Sequence, residues 1–155
     1  DTGCTLLRDP CLIELDGEPV LLMHGDLLCT DDVDYQRFRR RIRNPLVKHL
    51  FLWRSLEARR RVAADYRKKS GAATADKRAE IMDVNQETVT RFMGRHGATR
   101  LVHGHTHRPA DHDWTIGGRP VRRSVLAEWH AVQGEVLVHR PGTWHREPVL
   151  AGERH

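Results

Sequence analysis

No apolar run in this chain approaches the roughly 18–20 residues that cross a bilayer as a helix. The opening residues, Asp1-Thr2-Gly3-Cys4-Thr5, have no positive region followed by an apolar core, so they do not read as a signal peptide. No Met begins the chain, and its first residues read as the interior of a longer protein. The cysteines, Cys4, Cys11 and Cys29, are odd in number and irregularly spaced. That argues against a disulfide framework and for free thiols in a reducing cytosol. Internal repeats and low-complexity tracts are lacking. Also lacking, ahead of the histidine motifs described below, are an Asp-x-His pair and a loop pairing Asn with an acid.

What is present suffices for one domain with its own core: 155 residues, 39% hydrophobic and 30% charged. The charge is unevenly spread. Between Arg37 and Arg78 fifteen Lys and Arg stand against three acids, a local +12, while the remainder of the chain carries −7. A basic segment set in an acidic body marks a surface for an anionic partner: nucleic acid, anionic lipid or a phosphorylated substrate. No recognised nucleic-acid-binding motif accompanies it, so nucleic acid is not the expected partner.

Two strand-like runs, 11–15 and 19–23, flank Asp16-Gly17, a strong hairpin signal. From Asp31-Asp32 to Lys69 the pattern is helical. Tyr35, Phe38 and Ile42 form one stripe, Leu46, Leu50 and Trp53 another, and arginines occupy the other faces. Two or three basic helices are expected, with Ser70-Gly71 interrupting the last. Asp83 to His96 reads as a further helix stopped by Gly97. Leu101-Val102, 124–127 and 136–138 read as strands, with Gly117-Gly118 as a turn. Early alternation and late strands together predict an α/β fold, a mixed sheet with helices on its faces.

Two apolar runs end in Gly and His: Met23-His24-Gly25-Asp26 and His103-Gly104-His105-Thr106-His107. Residues two apart in an extended segment point the same way, so the rings of His105 and His107 are expected to reach one point. His24 ends a second strand, and loops at the ends of neighbouring strands converge in open α/β sheets. A single such histidine is ordinarily a hydrogen-bonded core residue. Three converging imidazoles instead suggest a transition-metal site, and a three-histidine zinc hydrolase centre is one form of it.

The paired motifs resemble the last two ligand motifs of the calcineurin-like metallophosphoesterases. Further segments are similar to the UDP-2,3-diacylglucosamine hydrolase family of lipid A biosynthesis: Leu28-Cys29-Thr30-Asp31-Asp32, Tyr35-Gln36, Ile81-Met82-Asp83-Val84-Asn85-Gln86, His107-Arg108-Pro109-Ala110 and Trp129-His130. The resemblance runs in continuous register through nearly the whole chain. It implies that residues 1–155 form the C-terminal part of a metallophosphoesterase sandwich, with a basic helical cap inserted at about 32–78. It further implies hydrolysis of the pyrophosphate of UDP-2,3-diacylglucosamine to UMP and the acylated sugar 1-phosphate by a two-manganese cluster. On that basis His24, His105 and His107 look like metal ligands, and Asp32, Ser70, Thr74, Lys77 and His105 look like substrate contacts. The cap would meet acyl chains and the anionic lipid of the bacterial inner membrane on its cytoplasmic face.

The family's Asp-x-His, Gly-Asp and Gly-Asn-Arg-Asp-like motifs have no counterpart here. The expected consequences are weak manganese binding and little hydrolase activity by this polypeptide alone, and an uncovered flank on its sheet. The competing readings are another metal-dependent phosphoesterase, a truncated pseudoenzyme, or a basic membrane-surface binding module.

Overall fold

The computed structural model describes residues 3–75 and 83–150, the side chains of 69–75 excepted. The chain divides into two compact units, one of Asp1–Leu28 with Asn85–His155 and one of Cys29–Val84.

The first unit is built on a five-stranded mixed sheet. Strands β1 (Cys11–Leu15) and β2 (Glu18–Met23) form the expected hairpin. Asp16 and Gly17 turn it with φ of 51° and 79°, the doubly left-handed backbone that Asp-Gly tolerates. β3 (Arg100–His103), β4 (Ala110–Ile116) and β5 (Arg119–Val125) complete the sheet in the order β1-β2-β3-β5-β4. The central strands β2, β3 and β5 run parallel, and the edges β1 and β4 are antiparallel to their neighbours. Parallel strands are buried on both sides, which matches the unbroken apolar runs of β2 and β3. Val20, Leu21, Leu101 and Val125 are buried in the core, together with Val89 and Met93 of the helix that follows the second unit.

That helix runs from Gln86 to His96, not from Asp83 as expected. Asn85 is its N-cap, its side chain accepting from the Thr88 N–H at 2.9 Å, and its own N–H donates to the Leu28 carbonyl at 2.9 Å. Gly97 ends the helix in the left-handed conformation, as its position predicts.

Two strands escape the sequence reading. β4 is the polar run Ala110-Asp111-His112-Asp113-Trp114-Thr115-Ile116, paired with β5 around the Gly117-Gly118 turn. The other is β7 (Thr143–Leu150), which pairs with β6 (Gln133–Arg140), the strand expected at 136–138, in a separate two-stranded sheet. A lone hairpin is marginal in water and needs a packing partner. Two polar clusters supply one. Arg100 of β3 lies 4.4 Å from the Trp144 ring centroid and donates to Glu18, which also accepts from Trp144 Nε1 at 3.1 Å. Arg146 of β7 donates to Asp111, to Glu135 at 2.6 Å, and to the carbonyls of Ala110 and Val125. β1 is an edge strand of the sheet, and Leu6, Leu7 and Leu12 are exposed.

Among its described residues the second unit contains three helices, α1 (Val33–Arg43), α2 (Pro45–Leu52) and α3 (Leu56–Ala75). Their starts are set by Asp32, Asn44 and Ser55, each accepting hydrogen bonds from backbone N–H groups of the following turn. Contrary to expectation, α3 continues through Ser70-Gly71; one Gly costs a helix about 1 kcal/mol, too little to break a long one. Neither α1 nor α2 buries a residue, and Leu46, Leu50, Leu52 and Trp53 are exposed. Among the described residues no helix is long and apolar enough to cross a membrane.

Candidate functional site

The histidine loops stand at the C-terminal ends of the adjacent parallel strands β2 and β3. The register pairs Met23 with His103, so His24 and Gly104 are the next residues out. The Gly104 N–H donates to the His24 carbonyl at 3.1 Å and joins the two loops. Gly25 makes the close approach feasible. Its φ is +113°, and a Cβ there would lie 2.9 Å from the Gly104 carbonyl oxygen and 2.9 Å from His103 Nδ1. Asp26 beneath the loop is fully buried.

The geometry brings two of the three expected ligands together. The rings of His24 and His105 meet edge-on with centroids 5.0 Å apart. His105 and His107 are not extended; their φ values are +69° and +53°, so the period-two argument fails for them. His107 turns to a different neighbour, with Nδ1 3.1 Å from Glu128 Oε2. Both His105 and His107 line a cavity of about 570 Å³ shared with Leu22, Val102, Leu126 and Trp144. Glu128 was missed from the sequence. Its signal, an acid following β5, becomes legible only once β5 is known to lie beside β3.

The expected substrate contacts fare differently. Asp32 caps α1 and is nearly buried, its Oδ1 accepting from the Tyr35 N–H at 3.0 Å. The side chains of Ser70 and Thr74, and Lys77 altogether, lie outside the described residues. Within the helical unit, Phe38, Ile42, Leu50, Phe51, Val62 and Tyr66 line an apolar groove of about 460 Å³, edged by Arg41, Lys48 and Arg54.

His24 and His105 are close enough to hold one ion through ring nitrogens, and their side chains are exposed or half-buried. They fit the imidazole share of a metal centre but not the whole of it. Among the described residues no group of three or more His, Cys, Asp or Glu is placed to hold a metal. Neutral imidazoles without carboxylates also suit manganese less well than oxygen donors do.

No protein-family model matches the chain. Curated proteins do. It is 49% identical over 146 residues to a UDP-2,3-diacylglucosamine hydrolase of Azotobacter vinelandii, covering 94% of this chain and 60% of the relative. It is 52% identical over 129 residues to the Pseudomonas aeruginosa protein of that name, 83% of this chain and 54% of the relative. For the Edwardsiella ictaluri protein the identity is 48% over 141 residues, 90% of this chain and 54% of the relative. The chain thus spans little more than half the length of the curated relatives it matches, and over most of its own length it is a homologue, at about 50% identity, of proteins named UDP-2,3-diacylglucosamine hydrolase.

Proposed function

We propose that the chain forms part of an enzyme, a hydrolase that cleaves the pyrophosphate of UDP-2,3-diacylglucosamine to UMP and 2,3-diacylglucosamine 1-phosphate in lipid A biosynthesis. The identity to proteins of that name carries the reading, and the joined His24 and His105 loops at neighbouring strand ends support it. The scaffold is then a calcineurin-like metallophosphoesterase, and residues 32–78 its cap. His24, His105 and His107 supply the imidazoles of a two-manganese centre, and the carboxylate donors come from the part of the relatives that this chain does not span. Paired metal ions held there would supply activation of water and charge neutralisation at a phosphoryl group. The chain's own contribution is to fix the imidazoles. Gly25 and the Gly104–His24 hydrogen bond hold the two loops in one arrangement before any ligand arrives. Asp32, Ser70, Thr74, Lys77 and His105 are the substrate contacts in this reading, and Lys77 offers a point charge to phosphate.

The groove of the helical unit suits an acylated substrate. Its Phe, Leu and Tyr side chains accept alkyl chains, and its arginines and exposed Leu46, Leu50 and Trp53 suit an anionic lipid surface, here the cytoplasmic face of the inner membrane. This separates the reading from a phosphoesterase of soluble substrates. Phe51→Ala or Trp53→Ala is expected to lower turnover of the diacylated substrate about tenfold, the worth of one buried aromatic contact, and to leave a soluble phosphodiester almost untouched. Equal losses on both substrates would remove the lipid role.

The test of the whole reading compares two polypeptides by UMP release and by calorimetric titration with Mn²⁺. The 155-residue chain alone is expected to bind Mn²⁺ weakly and to release little or no UMP. A fusion placing the N-terminal part of the Azotobacter vinelandii relative ahead of it is expected to bind Mn²⁺ tightly and to release UMP. Tight two-site binding by the chain alone would overturn the shared-site reading, and an inactive, well-folded fusion would overturn the hydrolase reading.

A further inference from the structure

We infer that Glu128 is a positioning residue for His107: its carboxylate holds the proton on Nδ1 and so presents Nε2, with its lone pair, to the site. The inference rests on the reading of His107 as a site residue. Glu128 Oε2 stands 3.1 Å from His107 Nδ1, and both side chains are half exposed. A half-exposed pair contributes only about 0–1 kcal/mol to folding. Stability therefore does not account for the way the loop carrying Glu128 is fixed at both ends.

At its start the Leu126 N–H donates to the His103 carbonyl at 2.7 Å, which ties the loop to the end of β3. At its finish the His130 N–H donates to the Gln133 carbonyl at 2.8 Å. Between them Trp129, next to Glu128, donates from Nε1 to the Glu135 carbonyl at 3.1 Å. The Trp129 ring lies directly on Gly134, where a Cβ would come within 2.6 Å of Cδ2 and 2.9 Å of Cε2. Only a residue without a side chain leaves room for the indole. Gly134 seats Trp129, Trp129 anchors the loop, and Glu128 meets His107 from a fixed direction. A carboxylate on one ring nitrogen selects the tautomer and fixes the direction of the other nitrogen, the arrangement that commonly backs a metal-binding histidine.

Long-range ¹H–¹⁵N correlation spectra of the metal-free 155-residue chain, at alkaline pH where an ordinary imidazole is neutral, read the tautomer directly. His107 is expected as Nδ1–H in the parent chain and mainly as Nε2–H in Glu128→Ala, with partial return of Nδ1–H in Glu128→Asp. Gly134→Ala, which displaces the indole, is expected to shift the tautomer in the same direction. An Nε2–H ring in the parent chain, or a tautomer unmoved by Glu128→Ala, overturns the inference. Failure of the functional reading looks different. In the fusion, Glu128→Ala is expected to weaken Mn²⁺ binding about tenfold. A switched tautomer with unchanged Mn²⁺ affinity would leave the positioning intact and remove His107 from the metal centre.

Discussion

Gly25→Ala is expected to destabilise the sheet unit by about 3 kcal/mol and to separate the two histidine loops. Two costs add at this position. The residue holds φ of +113°, which a side chain disfavours, and the new methyl would meet the Gly104 carbonyl oxygen and His103 Nδ1 at 2.9 Å. Both of those partners are held, since the Gly104 N–H is bonded to His24 and His103 is fully buried. Gly117→Ala is a milder reference, because Gly117 has φ of +56°, within the left-handed well that a side chain tolerates, and open space around it; its cost should be about 1 kcal/mol. Urea unfolding followed by tryptophan fluorescence measures both variants. Nuclear Overhauser contacts between the His24 and His105 rings should vanish in Gly25→Ala alone. Equal destabilisation by the two substitutions would mean that the loops give way without cost, and the rigidity assigned to them would be lost.

Arg146→Ala is expected to cost about 2 kcal/mol and to loosen the β6–β7 hairpin. The guanidinium joins Asp111 of β4, Glu135 of β6 and two backbone carbonyls, and the alanine variant leaves the two carboxylates without it. The loss is well below that of a deeply buried pair because Asp111 and Glu135 keep some contact with solvent. The effect depends on pH. Burial by itself raises the pKa of Asp111, but hydrogen bonds from Arg146 and the nearby charges of Arg146 and Arg122 outweigh it and hold the carboxyl below its ordinary value. A depressed folded-state pKa gives stability that is complete above the ordinary aspartate range and is lost as pH falls through the lowered value. The difference between parent and Arg146→Ala should therefore be full near neutrality and shrink in acid. Carboxyl ¹³C titration should show the Asp111 pKa rising in the variant. A stability difference of the same size at every pH would assign the loss to packing alone.

The parts of this fold that were legible in the sequence are those where the local signal and the tertiary demand agree. Asp16-Gly17 between apolar runs specifies a hairpin by itself, and Gly97 stops a helix by itself. β4 was illegible because its Asp111 and Asp113 resemble loop residues until Arg146 and Arg122 are seen to pair with them. β7 carries Pro148 and charged residues, and becomes a strand only by pairing with β6. At the candidate site the motif named the histidines, yet the backbone at His105 and His107 is left-handed, which no period-two pattern announces. Glu128 reaches His107 through a chain of contacts that begins at Gly134, and such a chain exists only in three dimensions.

The 2.9 Å hydrogen bond between the Asn85 N–H and the Leu28 carbonyl also bears on how this kind of protein can diversify. The backbone leaves the sheet unit at one of these residues and returns at the other, so Cys29–Val84 is a detour with a closed neck. Lengthening, shortening or exchanging a detour of that kind leaves the strand order on either side unaltered. The helical segment can then change in sequence and length on its own evolutionary schedule, while the histidine loops stay under a separate constraint. A chimera that swaps only residues 29–84 between two homologues would keep the strand order of the parent that supplies the sheet.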